Sequence, residues 1–258
     1  MYTIDPIGFF HTATVFPCEV PRQAVLGNQN KGIIELKKGC QFEQALEGLE
    51  GFDRIWVVFR FHRHNHWKPK VLPPRGGIKQ GVFATRSPHR PNFIGFSSVQ
   101  LIGIEGLKLY VLNHDLIDGT PILDVKPYIQ YADAFSCKRQ GWLDKLPDDF
   151  SCESIEWSEL AQIQINYLIS EWNYNLREAI ERRLMLSPYP YPNNRIKLLD
   201  NGMYQLAYRT WRIYYQLQEK VVKILYLQSG YDHETLYKNK PSKWDDVFIH
   251  QAFVKHFV

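Results

Sequence analysis

The sequence predicts a mainly β first half, folded as a barrel or a sandwich, and a smaller α+β domain behind it. Residues 4–112 contain short runs of β-branched and aromatic residues separated by Gly and Pro, a pattern typical of many short strands. After about residue 135, apolar residues recur at spacings of three and four, which indicates helices. No G-x-G-x-x-G motif leads from a strand into a helix, so we do not expect a dinucleotide-binding α/β fold.

The elements of the first half follow in chain order. Residues 54–61 (Arg-Ile-Trp-Val-Val-Phe-Arg-Phe) are too hydrophobic for a half-exposed strand, and they predict a central strand buried on both faces. A short helix is predicted over residues 42–49. The other predicted strands are 4–15, 32–36, 82–85, 96–101 and 108–112.

The second half predicts helices followed by a hairpin. Residues 156–186 form one or two amphipathic helices, because their apolar residues recur on one helical face. The proline-rich run 187–192 ends them, since each proline disfavours helix in the residue before it. Two strand runs, 204–217 and 221–227, flank a polar turn and predict a hairpin. We therefore expect a β domain over residues 1–140, a small α+β domain over 150–230, and a tail over 231–258 whose role the sequence does not indicate.

The composition excludes several classes of protein. With 45% hydrophobic and 22% charged residues among 258, the chain is neither disordered nor collagen-like. No apolar run approaches the roughly 20 residues of a membrane-spanning helix, and the opening residues lack the basic and apolar segments of a signal peptide. The four cysteines form no C-x-x-C pair and no zinc spacing. We therefore expect a reduced, cytoplasmic protein.

The positive charge is concentrated in one segment. The formal net charge is only +4. Residues 54–104 contain nine Lys and Arg but no Asp or Glu, although the average composition of the chain predicts about five acidic residues in a segment of this length. Aromatic residues alternate with these cations. A segment of this kind is typical of a surface that binds a polyanion or a charged cofactor, and the alternative is a solvated basic face.

Four segments concentrate polar side chains in predicted loops: 20–23, 86–92, 115–121 and 124–128. Arg86 and Arg90 stand in a Pro-rich loop, and a guanidinium forms forked hydrogen bonds with carboxylates and phosphates. Asp115, Asp118 and Asp124 place three carboxylates close together in the chain. The alternative is turn chemistry, because Asp side chains also cap turns.

The alternating His62, His64 and His66 suggest a metal site, since imidazole is a common metal ligand and alternate residues of a strand share a face. Against that interpretation, the segment runs into Trp67-Lys68-Pro69, where regular strand geometry ends, and cations crowd it. We expect a polar surface loop and no metal.

A serine or cysteine hydrolase is the other enzyme class considered. Ser87 lacks the G-x-S-x-G turn, and no other serine has it. Cys18 and Cys40 lack a local catalytic signature. Neither interpretation is supported.

Several longer motifs resemble one family. They are Val-Pro-Arg-Gln at 20–23, Pro-Pro-Arg-Gly-Gly at 73–77, Gly-Val-Phe-Ala-Thr-Arg-Ser at 81–87, Arg-Pro-Asn-Phe-Ile-Gly at 90–95, Asp-Leu-Ile-Asp-Gly-Thr-Pro at 115–121 and Asp-Val-Lys-Pro-Tyr at 124–128. In this order they resemble the TsaA-like proteins, the TrmO-type tRNA methyltransferases. The resemblance covers roughly residues 4–135.

The resemblance implies a single-sheet β-barrel that uses S-adenosyl-L-methionine (SAM) as methyl donor. It implies a homodimer with the cofactor site near the subunit boundary. The implied substrate is tRNA carrying N6-threonylcarbamoyladenosine next to the anticodon, which gains an N6-methyl group. The implied cofactor contacts are Pro21, Arg22, Gln23, His62, Arg63, Arg86, Phe96, Leu112, Asn113, His114 and Asp115.

The chemistry of SAM suggests roles for some of these residues. A carboxylate such as Asp115 suits the amino group of SAM, and Arg86 or Arg22 suits its carboxylate. Asp118 and Tyr128 are the candidate catalytic residues, and the sequence leaves the identity of the base open. The candidate substrate-binding residues are Lys68, Lys70, Lys79, Arg90 and Lys126. The alternative function is a β-barrel module that binds SAM or nucleic acid without catalysis.

Overall fold

The computed structural model describes residues 3–15, 20–21, 23–24, 29–74, 77–146, 152–191, 195–238 and 240–257. The chain forms two compact units, Met1–Pro73 with Ile78–Arg139, and Pro74–Gly77 with Gln140–Val258. None of the helices in these described ranges has the length and apolar character needed to cross a bilayer.

The first unit contains a closed antiparallel barrel, which confirms the predicted single-sheet β-barrel. The sheet order is β1-β2-β7-β6-β3-β8, and β8 pairs with β1 to close it. Strands β4 and β5 form a separate two-stranded ribbon. The strands are β1 (Gly8–His11), β2 (Lys31–Leu36), β3 (Arg54–Arg60), β4 (Lys70–Val71), β5 (Gln80–Gly81), β6 (Ile94–Glu105), β7 (Lys108–Leu112) and β8 (Thr120–Pro127).

The barrel interior is filled by every second residue of each strand. In β3, Ile55, Val57 and Phe59 are buried in the core, while Trp56 and Val58 are only partly buried. The prediction that this strand is buried on both faces was therefore wrong. A closed barrel has one interior, so the apolar residues of the second face lie on its outer surface, where Phe96 and Tyr128 pack against Trp56.

Strand β6 extends beyond its neighbour β7 at one end of the barrel. The first half of β6, from Ile94 to Val99, pairs with β3 on one side only, and pairing with β7 begins at Gln100, opposite Leu112. The chain leaves β7 at Asn113, whose φ of 56° turns it away from the sheet. Among the described residues, no strand pairs with this edge of β6, so β6 extends past the end of β7 in the closed barrel and leaves an unpaired strand edge at Ser97.

Three local predictions for the first unit needed correction. Residues 82–85 were predicted as a strand, but Val82–Ala84 form a 3-10 turn that Arg90 braces through its guanidinium. The predicted helix over 42–49 is one turn, α1 (Phe42–Ala45), followed by a 3-10 turn at Leu49–Gly51. Asp124 and Lys126 lie on β8 and not in a loop. A further short helix, α2 (Gln130–Asp133), follows the barrel.

The second unit is a five-stranded sheet with helices packed against one face. The predicted helices are α3 (Glu159–Trp172) and α4 (Arg177–Leu186), and α3 begins where the Ser158 hydroxyl accepts a hydrogen bond from the Ala161 amide. The sheet order is β10-β11-β12-β13-β9, with β9 parallel to β13. The remaining elements are β9 (Ser154–Trp157), β10 (Ile196–Leu198), β11 (Tyr204–Tyr208), β12 (Trp211–Gln218), β13 (Val221–Ser229), α5 (His233–Tyr237) and α6 (Val247–Phe257).

The hairpin prediction is confirmed by β12 and β13, but the run 204–217 contains two strands. A turn at Arg209, with φ of 49°, separates β11 from β12, and no Gly or Pro marks it in the sequence. Helix α6 contributes Ile249 and Phe253 to the hydrophobic core of this unit.

Candidate functional site

A cavity of about 110 Å³ lies in the first unit, beside the unpaired edge of β6. Its lining contains two arginines, a carboxylate, an indole and two hydroxyls, a set suited to a zwitterionic ligand with an aromatic group. The lining residues are Gln23, Ala24, Arg54, Trp56, Arg86, Ser97, Ser98 and Asp115. The structure thus brings together three predicted cofactor contacts, Gln23, Arg86 and Asp115.

Asp115 is the polar centre of this cavity. It stands in the loop between β7 and β8, and its Oδ1 atom is shielded from solvent without a hydrogen-bond partner among the described residues. Burial raises the pKa of this carboxyl, while a hydrogen bond with Ser97 and the charge of Arg86 lower the pKa. A shielded carboxylate oxygen without a partner is costly to the fold, and a cationic donor from a ligand would satisfy it.

Arg86 and Gln23 form the opposite part of the lining. The Arg86 guanidinium donates a hydrogen bond to Gln23 Oε1 across 3.4 Å, and both side chains are exposed. This long bond leaves most guanidinium donors available to a carboxylate. Pro21 is buried nearby in sequence, and Arg22 lies outside the described residues.

Two stacked aromatic rings lie on the outer surface of the barrel, and one of them, Trp56, lines the cavity. Trp56 and Phe96 have ring centroids 4.1 Å apart and planes 13° apart, and Phe96 is 53% exposed. The Trp56 indole donates to Asp133 Oδ2 at 2.9 Å, which fixes its orientation. Tyr128 lies against the same indole at 5.4 Å.

Arg54, Trp56 and Ser98 line the cavity but are not among the predicted site residues. Arg54 Nε donates to Ser98 Oγ at 3.2 Å, and Ser98 lies directly opposite Trp56 in the sheet. Alternation along a barrel strand predicts that Arg54 and Trp56 share the outer face. That signal was hidden by the assumption that both faces of β3 are buried.

The predicted contacts at 112–114 shape the loop that presents Asp115. Leu112 is paired within the sheet, and Asn113 Oδ1 accepts a hydrogen bond from the Gln29 amide at 2.7 Å. Asn30 binds the His114 backbone twice, donating to its carbonyl at 2.9 Å and accepting from its amide at 3.0 Å. These bonds hold the loop on the end of the barrel.

The His114 ring is fully buried and does not line the cavity. Its Nδ1 accepts a hydrogen bond from the Leu116 amide at 3.3 Å, so Nε2 carries the proton and donates to the Lys31 carbonyl at 3.1 Å. Burial lowers the pKa of His114 to about 4. The side chain is therefore a neutral structural group at the base of the loop.

Asp118 belongs to a second polar cluster. Its Oδ1 accepts from the Thr12 amide at 3.1 Å and lies 3.6 Å from His11 Nδ1. Burial and the charge of Arg63 lower the pKa of His62, whereas the charge of Asp118 raises it, so His62 and Asp118 interact electrostatically. Asp118 and Tyr128, the two candidate catalytic residues, are not part of the cavity lining.

The candidate substrate-binding cations differ in their environment. Lys68, Lys70 and Lys79 are exposed. Arg90 donates to the carbonyls of Val82 and Thr85, and Lys126 pairs with Asp124 at 2.9 Å. Arg90 therefore stabilises a turn, and Lys126 is partly neutralised.

The segment containing His62, His64 and His66 is a loop after β3. His64 packs edge-on against His89 with centroids 4.9 Å apart, and burial lowers its pKa. Within the part of the chain that the structure describes, no three His, Cys, Asp or Glu side chains are grouped so that they could hold a metal ion.

Comparison with known proteins gives matches over both units. A family model described as the tRNA-methyltransferase O N-terminal domain matches residues 9–134. The "Putative S-adenosylmethionine-dependent methyltransferase RcsF" of Pseudomonas aeruginosa is 40% identical over 193 residues, covering 73% of this chain and 82% of that protein. The tRNA (adenine(37)-N6)-methyltransferase of Mus musculus is 43% identical over 132 residues, covering 48% of this chain and only 30% of the mouse protein.

A solved structure extends the likeness beyond the barrel. The crystal structure of TrmO from Pseudomonas aeruginosa matches with a TM-score of 0.58 and 32% identity, covering 89% of this chain and 99% of that chain. Since the family model ends at residue 134, this match includes much of the second unit.

Proposed function

Because this chain belongs to the tRNA-methyltransferase O family, we propose that it transfers the methyl group of SAM to N6 of adenosine 37 in tRNA. The adenosine is proposed to carry the N6-threonylcarbamoyl group. A relative named for this position and this nitrogen supports the reaction, and a relative named for SAM dependence supports the donor. The reaction takes place where tRNA is found, in accord with the predicted cytoplasmic location.

The observation that carries the proposal is the shielded Asp115 oxygen without a partner, in one cavity with Arg86 and Trp56. SAM has an ammonium group, a carboxylate and an adenine ring. Asp115 suits the ammonium group, Arg86 suits the carboxylate, and the Trp56–Phe96 pair offers an aromatic surface. The residues present therefore fit the donor.

The size of the cavity supports the predicted homodimer. Pockets for small molecules usually enclose about 300–1,000 Å³, and this cavity encloses about 110 Å³. We propose that a second copy supplies further walls, so that the site lies near the subunit boundary. Light scattering of the purified protein, with and without SAM, tests the dimer.

Bound SAM supplies an electrophilic methyl group on sulfur. Methyl transfer forms the N6–CH3 bond, breaks the S–CH3 bond, and releases the N6 proton and S-adenosylhomocysteine. The protein contributes by holding the reactants in line, which reduces the entropic part of the barrier. Asp115 and Arg86 orient the donor, and the backbone bonds of Asn30 fix the loop that carries Asp115.

The N6 proton requires an acceptor, and Asp118 and Tyr128 stay the proposed candidates. The Asp118 Oδ1 atom accepts a hydrogen bond from the Thr12 amide and lies 3.6 Å from His11 Nδ1, so the carboxyl group is held in a defined position. The ring of Tyr128 packs against the indole of Trp56, which lines the cavity. Replacing each residue separately, with turnover measured across pH, distinguishes them.

The test of the function is methyl incorporation from labelled SAM into tRNA isolated from cells that lack this protein, followed by nucleoside mass spectrometry. The expected product is the N6-methylated form of threonylcarbamoyladenosine. A protein that binds SAM and tRNA yet adds no methyl group would support the alternative of a non-catalytic module. Methylation of tRNA that lacks the threonylcarbamoyl group would overturn the proposed substrate.

A further inference from the structure

The five-stranded sheet of the second unit has two different faces. On one face Ile213, Tyr215 and Val222 are fully buried and belong to the hydrophobic core. The opposite face carries mainly polar, cationic and aromatic side chains, together with the apolar Ala207 and Val221. A register shift between Tyr214 and Tyr215 leaves Leu225 without a partner residue on β12, so Tyr226 shares this face with Lys223. We call this surface the polar face and define it by Lys197, Gln205, Arg212, Tyr214, Lys223 and Tyr226.

One row of the polar face crosses four strands. Lys197 lies opposite Gln205, Gln205 opposite Tyr214, and Tyr214 opposite Tyr226. The rings of Tyr214 and Tyr226 stack with centroids 4.6 Å apart and planes 19° apart. Gln205 Nε2 donates to the Tyr214 hydroxyl at 2.7 Å, which fixes that ring from the other side. The row therefore presents two ordered, parallel aromatic rings.

Cations surround this aromatic row. Arg212 flanks Tyr214 on β12, and its guanidinium donates to the carbonyls of Trp211 and Gly230, which hold it in place. Lys223 lies on β13, opposite Glu156, the acidic residue of the same face. Three cations against one carboxylate give the polar face a net positive charge, complementary to a polyanion.

We propose that the polar face binds unpaired nucleotides of the tRNA by stacking bases on the Tyr214–Tyr226 pair, with phosphates near Lys197, Arg212 and Lys223. This inference rests on the proposed function, since it assumes a tRNA substrate. Aromatic rings on an open antiparallel sheet, with cations around them, are a recurrent surface for single-stranded RNA. A double helix hides the faces of its bases, so an unpaired loop is the matching part of tRNA.

The test measures binding separately from methyl transfer. Fluorescence anisotropy gives the affinity for an unmodified tRNA transcript, and calorimetry gives the affinity for SAM. Replacing both tyrosines by leucine (Y214L with Y226L) is expected to weaken tRNA binding about five- to a hundredfold. The matched control replaces both by phenylalanine, which keeps the rings and is expected to bind within about twofold of the wild type. SAM affinity is expected to stay unchanged in both.

A second pair of variants does not depend on the tyrosines. Reversing two charges (K197E with K223E) is expected to weaken tRNA binding and to lower the slope of log affinity against log salt concentration by about two. Melting temperatures confirm that each variant is folded. If the charge variant also retained wild-type affinity and slope, the cations would have no part in RNA binding.

Two outcomes overturn the inference. In one, the leucine variant binds tRNA as tightly as the wild type; in the other, the phenylalanine variant loses as much affinity as the leucine variant. If the leucine variant keeps its tRNA affinity but changes its oligomeric state, the polar face is an interface between copies. If instead the wild type binds tRNA through this face and adds no methyl group, the proposed function fails and this inference stands.

Discussion

The indole of Trp56 lies flat against the ring of Phe96, with centroids 4.1 Å apart, on the outer surface of the barrel. Phe96 is a predicted cofactor contact, and Trp56 lines the cavity. The bond from the Trp56 indole to Asp133 fixes Trp56, and the stack in turn fixes Phe96. The short helix α2, which carries Asp133, thus contributes to the order of the site.

Removing the indole is expected to weaken SAM binding. The Trp56→Leu variant removes an aromatic ring from the cavity lining, and a ring that packs against the adenine of SAM is worth about 0.5–1.5 kcal/mol, so the Kd for SAM should rise about two- to tenfold. Calorimetry measures this change. Trp56→Phe keeps an aromatic ring and should bind nearly normally. Trp67→Leu, at an indole that is 54% exposed in another part of the unit, is the matched control and should have no effect.

Neutralising Asp115 is expected to weaken SAM binding more strongly. Asp115→Asn removes a charge-assisted hydrogen bond of about 1.5–3 kcal/mol, so the Kd should rise about ten- to a hundredfold while the protein stays folded. Because burial raises the pKa of this carboxyl, SAM affinity of the wild type should also fall at acid pH, where the carboxyl is protonated, and this fall should be absent from the variant. If the Asp115→Asn variant binds SAM with normal affinity, Asp115 has a purely structural role.

Asp118→Asn is expected to act on turnover and not on SAM affinity, because Asp118 does not line the cavity. The asparagine oxygen still accepts from the Thr12 amide, so the loop should keep its shape. Single-turnover methylation at saturating SAM measures the effect. Wild-type turnover with only a lowered melting temperature would show that Asp118 is a turn residue, and Tyr128→Phe then becomes the decisive variant for the base.

Stability is expected to fall as the pH is lowered from about 6.5 to 4. The pKa of His114 is lowered to about 4 by burial, below its usual value of about 6.5 in an unfolded chain. Between these values the unfolded state binds a proton that the folded state excludes, so unfolding is favoured as pH falls, by up to about 3 kcal/mol. His250, buried between the hydroxyls of Ser229 and Thr210, adds an effect of the same sign in the second unit.

Thermal unfolding at pH 7.5 and pH 5, in the wild type and in His114→Gln, checks this expectation. The variant is expected to be less stable at pH 7.5 but to lose less stability on acidification. An equal loss in both proteins would assign the acid sensitivity to other groups. His250→Gln serves as the parallel measurement for the second unit.

Reversing the charge of Lys68, Lys70 and Lys79 together is expected to weaken tRNA binding and to leave SAM affinity unchanged. These lysines are exposed. Lys70 is the first residue of β4, and Lys79 directly precedes β5. If each contacts a phosphate, the slope of log affinity against log salt should fall by about three. Lys37, Lys38 and Lys108 are equally exposed in the same unit and provide the control triple. If the test variant binds tRNA with unchanged affinity, these lysines do not contact RNA, and tRNA binds at another surface such as the polar face.

Hydrophobic spacing predicted the two helices and the β12–β13 hairpin, because it reports which residues reach a core. The same spacing was compatible with a barrel or a sandwich, and the family resemblance implied the barrel. It did not predict that β3 has an outer aromatic face. Ile55 and Trp56 look alike in a hydrophobic pattern, and only barrel closure separates them into interior and wall. The 3-10 turn at Val82–Ala84 was also not predicted, because β-branched and aromatic residues in a short segment do not distinguish a strand from a tight turn.

The sequence predicted only some of the residues of the candidate site. Asp115 and Arg86 could be selected because charged residues clustered in predicted loops and matched family motifs. Arg54 and Ser98 could not, because their contact joins two strands whose register the sequence does not specify. The structural role of His114 was also hidden, since a histidine between Asn113 and Asp115 has the same appearance whether it is buried or faces a ligand.

The pairing of β1 with β8 has a consequence for how the barrel is made. Gly8 lies opposite Ile122, so the first strand stays without one of its two neighbours until almost the whole unit has been synthesised. Contacts between residues so distant in the chain are slow to form, because a long loop must close before they contribute. We therefore expect the barrel to fold late and all at once on the ribosome. A ribosome-bound chain that stops before β8 should remain sensitive to protease throughout, and a chain extended past β8 should become resistant in a single step.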